Sequence, residues 1–206
     1  MQSVLLNGEY ITPSKVVCIG RNYVEHIAEL NNEIPTEPVI FVKPNSAIST
    51  ELSSHPIDAI HYEAELSFII KNNQFVAAGI GLDLTKREVQ TRLKEKGLPW
   101  ERAKAFDKSA VFSEFVLLKH DNDSVQSLSL VLLINDQIIQ QANYDLMIYK
   151  PVDIVKQVSE FMTFENNDIL MTGTPKGVGK INKGDRFTGQ LFAQDKLLLT
   201  KTWTVL

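Results

Sequence analysis

The sequence predicts a β-rich α+β single domain, and three observations carry that class. Most of its periodic segments are short and either alternate apolar with polar residues or run apolar for four to seven positions. Only a few stretches carry helical spacing, and they are interspersed with the strands. No internal repeat, low-complexity tract or linker divides the chain. Its 206 residues are 44% hydrophobic and 22% charged, enough to bury a core and leave room for a pocket.

Residues 15–20 read as a buried strand ending at Gly20, after a short lead-in over residues 1–14. Residues 22–30 have helix character, with Tyr23, Ile27 and Leu30 on one side, until Pro35 and Pro38 interrupt the pattern. Residues 39–42 form a second apolar strand, and the polar stretch 50–60, punctuated by His55-Pro56, is a loop. Residues 61–71 and 75–82 are strands joined by a tight turn at 71–74. A helix is expected over 85–96, stopped by Gly97 and Pro99. Strands follow at 114–118, 127–134 and 137–141, the last two joined by an Asn135-Asp136 turn. A helix over 151–164 would bury Ile154, Val158, Phe161 and Met162. Residues 168–171 lead into a glycine-rich loop at 172–179, and strands at 184–190 and 196–205 finish the chain.

Composition excludes several function classes. The formal net charge is −4 and no basic block exists, so the electrostatic footprint of a nucleic-acid binder is missing. No apolar run is long enough to cross a membrane as a helix, and residues 1–6 do not open a signal peptide. The single cysteine, Cys18, sits among Val16, Val17 and Ile19 as a buried strand thiol. One cysteine allows no internal disulfide, which fits a reducing compartment, and a cytoplasmic protein is expected.

Candidate chemistry centres on His61-Tyr62-Glu63-Ala64-Glu65. On a strand, Glu63 and Glu65 point to the same side. Two carboxylates so close repel unless a cation neutralises them, and oxygen-only ligation favours a hard divalent ion. Asp83, after Gly79-Ile80-Gly81-Leu82, is the third candidate, because small residues let backbone approach a site. By spacing alone a solvated strand face serves as well for Glu63 and Glu65, and Asp83 serves equally as the N-cap of the following helix.

The ordered pieces of the chain decide between those readings. They are Cys18-Ile19-Gly20-Arg21-Asn22-Tyr23 with His26, Glu37-Pro38-Val39-Ile40-Phe41-Val42-Lys43-Pro44, the Glu63-Ala64-Glu65 segment, and Leu82-Asp83-Leu84-Thr85 with Arg87 and Gln90. Lys96-Gly97-Leu98-Pro99-Trp100 through Ala103-Lys104-Ala105-Phe106-Asp107, and Leu170 through Gly179, complete the set. In this order they resemble the fumarylacetoacetate hydrolase superfamily, in particular its short single-domain acylpyruvase-like and fumarylpyruvate hydrolase-like branch. The resemblance covers about residues 15–206.

The resemblance implies a mixed β-sandwich roll with a few short helices, an Mg²⁺ or Mn²⁺ held by Glu63, Glu65 and Asp83, and a homodimer. It also implies chemistry at C–C bonds beside a 2-oxo group, through an enolate that a Lewis acid stabilises. His26 and Glu29, three apart on one helix face, would activate water as a dyad, and Lys104 would reach the substrate carboxylate or the enolate. Arg87, Gln90, Thr174 and Arg21 are the expected substrate-binding residues. The favoured activity is hydrolysis of a small acylpyruvate-type 2,4-dioxo acid. The alternative is decarboxylation of oxaloacetate or keto–enol isomerisation of a related 2-oxo dioic acid, and a non-catalytic anion-binding or metal-binding β-protein ranks below both.

Overall fold

A computed structural model describes residues 1–55, 57–119 and 122–206. Its centre is an eight-stranded mixed sheet in the order β4 (Val39–Pro44), β3 (Lys15–Gly20), β14 (Ile169–Met171), β7 (Ala64–Lys71), β8 (Gln74–Asp83), β10 (Ala110–Phe112) and β5 (Ile48–Ser49), with β11 (Val116–Leu117) also pairing with β8. Over it lies a four-stranded antiparallel sheet in the order β13 (Gln137–Asn143), β12 (Leu128–Ile134), β16 (Arg186–Ala193) and β17 (Lys196–Thr204). A small sheet of β15 (Gly179–Lys180), β6 (Ile60–Tyr62) and β9 (Thr85–Lys86) stands at one end, and β1 (Val4–Leu6) and β2 (Glu9–Ile11) make a separate hairpin. Five short α-helices among the described residues decorate the strands: α1 (Val24–Glu29), α2 (Arg87–Glu95), α3 (Glu101–Lys104), α4 (Asn122–Gln126) and α5 (Pro151–Ser159). This is the strand-rich α+β class expected from the sequence.

Alternation along β7 explains how one strand builds both core and site. Leu66 and Phe68 join Ile80 and Leu82 of β8 in the layer beneath Leu130, Leu132, Phe187 and Trp203. The opposite face of β7 carries Ile69 into a second cluster with Val16, Cys18, Phe112 and Phe115. A third cluster seats Ile154, Val155 and Val158 of α5 on Val17, Ile19 and Leu170. Both expected hairpin turns are two-residue loops with positive φ at both positions, 50° and 58° at Asn72 and Asn73 and 49° and 68° at Asn135 and Asp136. Short amide and carboxylate side chains tolerate that region, which matches the twist of the strands they join.

Several expected elements are corrected. The strand expected over 61–71 changes partners at Glu63: β6 pairs with β9 and β15, whereas β7 pairs with β8 and β14. The helix expected from residue 85 begins at Arg87, with Lys86 as its N-cap residue, because Thr85 and Lys86 pair with His61 and Ile60. Asp83 therefore ends a strand and caps no helix. Helix α5 stops at Ser159, so Phe161 is 63% exposed and outside the expected buried stripe. Helix α3 lies in a stretch for which no element was expected. Pro56, read as a break, lies outside the described residues.

Candidate metal and substrate site

The antiparallel register of β7 and β8 pairs Ala64 with Leu82, and the Asp83 N–H donates to the Glu63 carbonyl at 2.8 Å. Residues facing each other across such a pair present side chains to the same side, so Glu63 and Asp83 meet and Glu65 stands beside them. One carboxylate oxygen from each of Glu63, Glu65 and Asp83 lies within 4.8 Å of the others, and all three residues are buried. The register set by the turn, Lys71 with Gln74, shifts by one between Ile69 and Ile70, and this irregularity is what brings Asp83 rather than Leu82 opposite Glu63. The glycines before Asp83 serve packing behind the site. A Cβ at Gly79 would meet the Phe115 ring at 2.9 Å, and one at Gly81 would meet Ser67 Oγ at 2.4 Å.

Three cations surround the carboxylates. The Lys104 ammonium, on α3, donates to Glu63 Oε2 at 2.8 Å, to Asp83 Oδ2 at 2.7 Å and to Thr85 Oγ1 at 2.6 Å. Arg87 donates from Nη2 to Glu63 Oε1 and from Nη1 to Gln90 Oε1, the latter at 2.7 Å. Lys43 is the third. Wholly buried, it donates to the carbonyls of Leu84, Lys104 and Ser109, and its Nζ stands 2.8 Å from Asp83 Oδ1. An ammonium has three protons, and the three carbonyls take them all. Asp83 Oδ1 thus has a nearby charge but no hydrogen bond.

The two glutamates titrate in opposite directions. Burial pushes Glu63 up, but Lys104 and then Arg87 outweigh it and hold the carboxyl far below its usual range. Burial, then the charges of Asp83 and Glu63, push Glu65 well above the usual range; Lys104 and the Gly173 N–H, which donates to Glu65 Oε2 at 2.7 Å, oppose this without cancelling it. Burial disfavours the Lys104 ammonium, yet Asp83 and Glu63 raise its pKa overall, so it stays charged. The donor set fits a hard divalent cation: three convergent carboxylates, no nitrogen or sulfur ligand in the group, and one buried oxygen at Asp83 without a hydrogen bond. Such an ion would favour the charged form of Glu65.

Sharing one cleft with Glu63 and Glu65 is His26 on α1, which lines it together with Arg21, Arg87, Gln90, Lys104 and Thr174. His26 Nδ1 is 3.1 Å from Glu29 Oε2, and Glu29 Oε1 accepts the Gly177 N–H at 2.9 Å. The glycine-rich loop is thereby tied to the histidine. Gly177 has φ +98°, and a Cβ there would lie 2.4 Å from the Ile139 carbonyl oxygen. With Nδ1 given to Glu29, Nε2 is the nitrogen left for chemistry.

Thr174 lines the cleft, with its hydroxyl held within the fold. Its hydroxyl donates to the Ala64 carbonyl at 2.9 Å and accepts from Gln140 Nε2 at 2.9 Å, so its proton is committed to the fold. Gln140 of β13 also accepts the Ala64 N–H at 3.0 Å and donates to the Pro175 carbonyl at 2.9 Å. This buried glutamine joins the upper sheet to both walls of the site, and nothing local in the sequence marks it. Lys43 was visible, as a charge interrupting an apolar strand, but only the fold gives it a role.

Comparison with known proteins agrees with this geometry. The fumarylacetoacetate (FAA) hydrolase C-terminal family matches residues 15–197. The chain belongs to the fumarylacetoacetate hydrolase family. It is 37% identical over 190 residues to the oxaloacetate tautomerase YcgM of Escherichia coli (strain K12), covering 85% of this chain and 87% of that protein. A crystal structure of a fumarylacetoacetate isomerase/hydrolase-type protein from Oleispira antarctica superposes with a TM-score of 0.94 at 36% identity, covering 100% of both chains. The fumarylpyruvate hydrolase of Pseudomonas aeruginosa, crystallised with Mn²⁺ and pyruvate, superposes with a TM-score of 0.88 at 27% identity, covering 100% of this chain and 95% of that one. The chain is accordingly an enzyme of this family. No helix among the described residues is long and apolar enough to cross a membrane.

Proposed function

We propose that the protein is a divalent-metal-dependent keto–enol tautomerase of a small 2-oxo dioic acid of the oxaloacetate kind. The observation that carries the reading is the placement of His26 in one cleft with Glu63 and Glu65, on which Asp83 converges from behind the lining. That puts a proton acceptor opposite the groups that would hold an electrophile. The relatives named oxaloacetate tautomerase, 35% to 37% identical, favour this alternative over the hydrolase reading preferred from the sequence.

Glu63, Glu65 and Asp83 would hold Mg²⁺ or Mn²⁺, which when bound supplies Lewis acidity toward the 2-oxo group. His26 Nε2 takes the proton from C3 as the C2–C3 double bond forms, and the imidazolium returns a proton to the C2 oxygen. Glu29 fixes the ring and stabilises its charge while the Gly177 N–H fixes Glu29. Lys104 balances the charge of Glu63 and Asp83, and Arg87 with Gln90 orients the substrate carboxylate from α2. The reaction consumes no water on carbon, so a cleft partly lined by Ile19, Ile27, Phe41 and Trp100 suits it.

A hydrolase is the second reading, because the same His26–Glu29 dyad can activate water and the Pseudomonas aeruginosa fumarylpyruvate hydrolase shares the fold. A cytoplasmic homodimer belongs to either reading and is tested by fractionation and light scattering. The distinguishing experiment offers the Mg²⁺-loaded protein the enol form of oxaloacetate and, separately, acetylpyruvate. Accelerated loss of the enol with acetylpyruvate intact supports the tautomerase. Conversion of acetylpyruvate to pyruvate and acetate replaces it with the hydrolase.

A further inference from the structure

Beyond the carboxylates, the cleft is also lined by two further cations, Arg21 and Lys94. Arg87, Gln90 and Lys94 recur at i, i+3 and i+7 along α2, one stripe on one face, and all three line the cleft. Arg87 and Gln90 engage Glu63 and each other, whereas Lys94, about 6 Å further along the helix axis than Gln90, has no acidic partner among the described residues. Its ammonium is held by the Asn32 Oδ1 acceptor at 3.3 Å and lies 5.4 Å from the centre of the Trp100 ring. Arg21 also lines the cleft, at φ +57°, a backbone region unusual outside glycine. Its Nε is buried without a hydrogen-bond partner.

Two cations without a counter-ion, one positioned by an amide and an indole and the other on a strained backbone, form an anion receptor. Burial, followed by the charges of Arg21 and Arg87, lowers the Lys94 pKa, as expected of an ammonium short of negative charge. We propose that Lys94, with Arg21 beside it, takes the far carboxylate of a dicarboxylic substrate and thereby sets a preference for dioic over monocarboxylic 2-oxo acids. The proposal rests on the reading of the cleft as a 2-oxo acid site. It adds the residue that reads the substrate's second end: the inner end recognises the 2-oxo-carboxylate common to the whole class, and Lys94 recognises what separates an oxaloacetate-like acid from its methyl-ended counterpart.

The test measures binding of two non-reacting ligands to the Mg²⁺-loaded protein by calorimetry: malate, and 2-hydroxybutyrate, in which a methyl replaces the far carboxylate. The wild type is expected to prefer malate. Lys94→Met is expected to weaken malate about tenfold or more, leave 2-hydroxybutyrate within about twofold, and regain most of the malate affinity in Lys94→Arg, the scale of one charge-assisted hydrogen bond. An unchanged malate preference in Lys94→Met overturns the proposal, and binding of both ligands in that experiment leaves the 2-oxo acid reading standing. If the wild type binds neither ligand, that reading fails and the subsite falls with it.

Discussion

The Asp83 N–H donates to the Glu63 carbonyl at 2.8 Å, and this backbone bond brings two buried carboxylates to the same side of the sheet. Three such groups in one place oppose folding unless compensated. Mg²⁺ or Mn²⁺ is therefore expected to stabilise the protein by about 2.7 kcal/mol at a hundredfold excess over Kd, read as a rise in melting temperature. Asp83→Asn is expected to lose more metal affinity than the roughly 10–100-fold typical of an outer-shell change, measured by Mn²⁺ titration. Equal Mn²⁺ affinity in wild type and Asp83→Asn would remove the aspartate from the ligand set.

The dyad separates binding from turnover. Glu29→Gln keeps an acceptor for the Gly177 N–H but loses the charge that stabilises an imidazolium, so turnover should fall about 100-fold or more with Mn²⁺ affinity retained. Gly177→Ala should depress turnover and lower the melting temperature together, because its Cβ would collide with the Ile139 carbonyl at 2.4 Å. A Glu29→Gln enzyme with wild-type kcat would show that the pair has no part in proton transfer.

Gln140 joins both walls of the site, and Gln140→Leu strands the buried Ala64 N–H and the Pro175 carbonyl. The loss should be about 1–3 kcal/mol, seen in urea unfolding. Because Ala64 sits between Glu63 and Glu65, metal affinity should weaken as well. Gln140→Glu, which keeps the acceptor for Ala64, should recover more of that affinity than it does of the stability.

Asp168 sets an acid limit far from the cleft. Burial alone would raise its carboxyl, but the Lys15 ammonium, the Ser14 hydroxyl and the N–H groups of Glu165 and Lys15 lower it below the ordinary 3.8. A depressed carboxyl contributes stability that is complete above pH 3.8 and is lost as pH falls through the folded-state value. Asp168→Asn should cost about 3 kcal/mol at pH 7 and flatten the acid limb of the urea midpoint against pH. An acid limb identical to wild type would place that titration elsewhere.

What the sequence made legible was local. Glu63 and Glu65 share a side because strands alternate, the turns at Asn72 and Asn135 announce themselves by residue type, and His26 and Glu29 are one helical turn apart. What it hid depends on distant chain. The partner change at Glu63 arises because two-residue strands pull Ile60 and His61 into another sheet. Lys43 gains its role from carbonyls 41, 61 and 66 residues away, and Gln140 from Ala64, 76 residues away. Thr174 lines the cleft from the glycine-rich loop, and the partners of its hydroxyl lie 34 and 110 residues off.

The most direct test strips the protein with chelator, restores Mn²⁺, and follows oxaloacetate enol decay by ultraviolet absorbance in wild type, Glu63→Gln and His26→Asn. Metal-restored acceleration in the wild type, lost in Glu63→Gln with its metal affinity and lost in His26→Asn without it, is the predicted result. Enol decay that is equally fast in the stripped protein, or undiminished in both variants, would contradict a carboxylate-held metal working with His26.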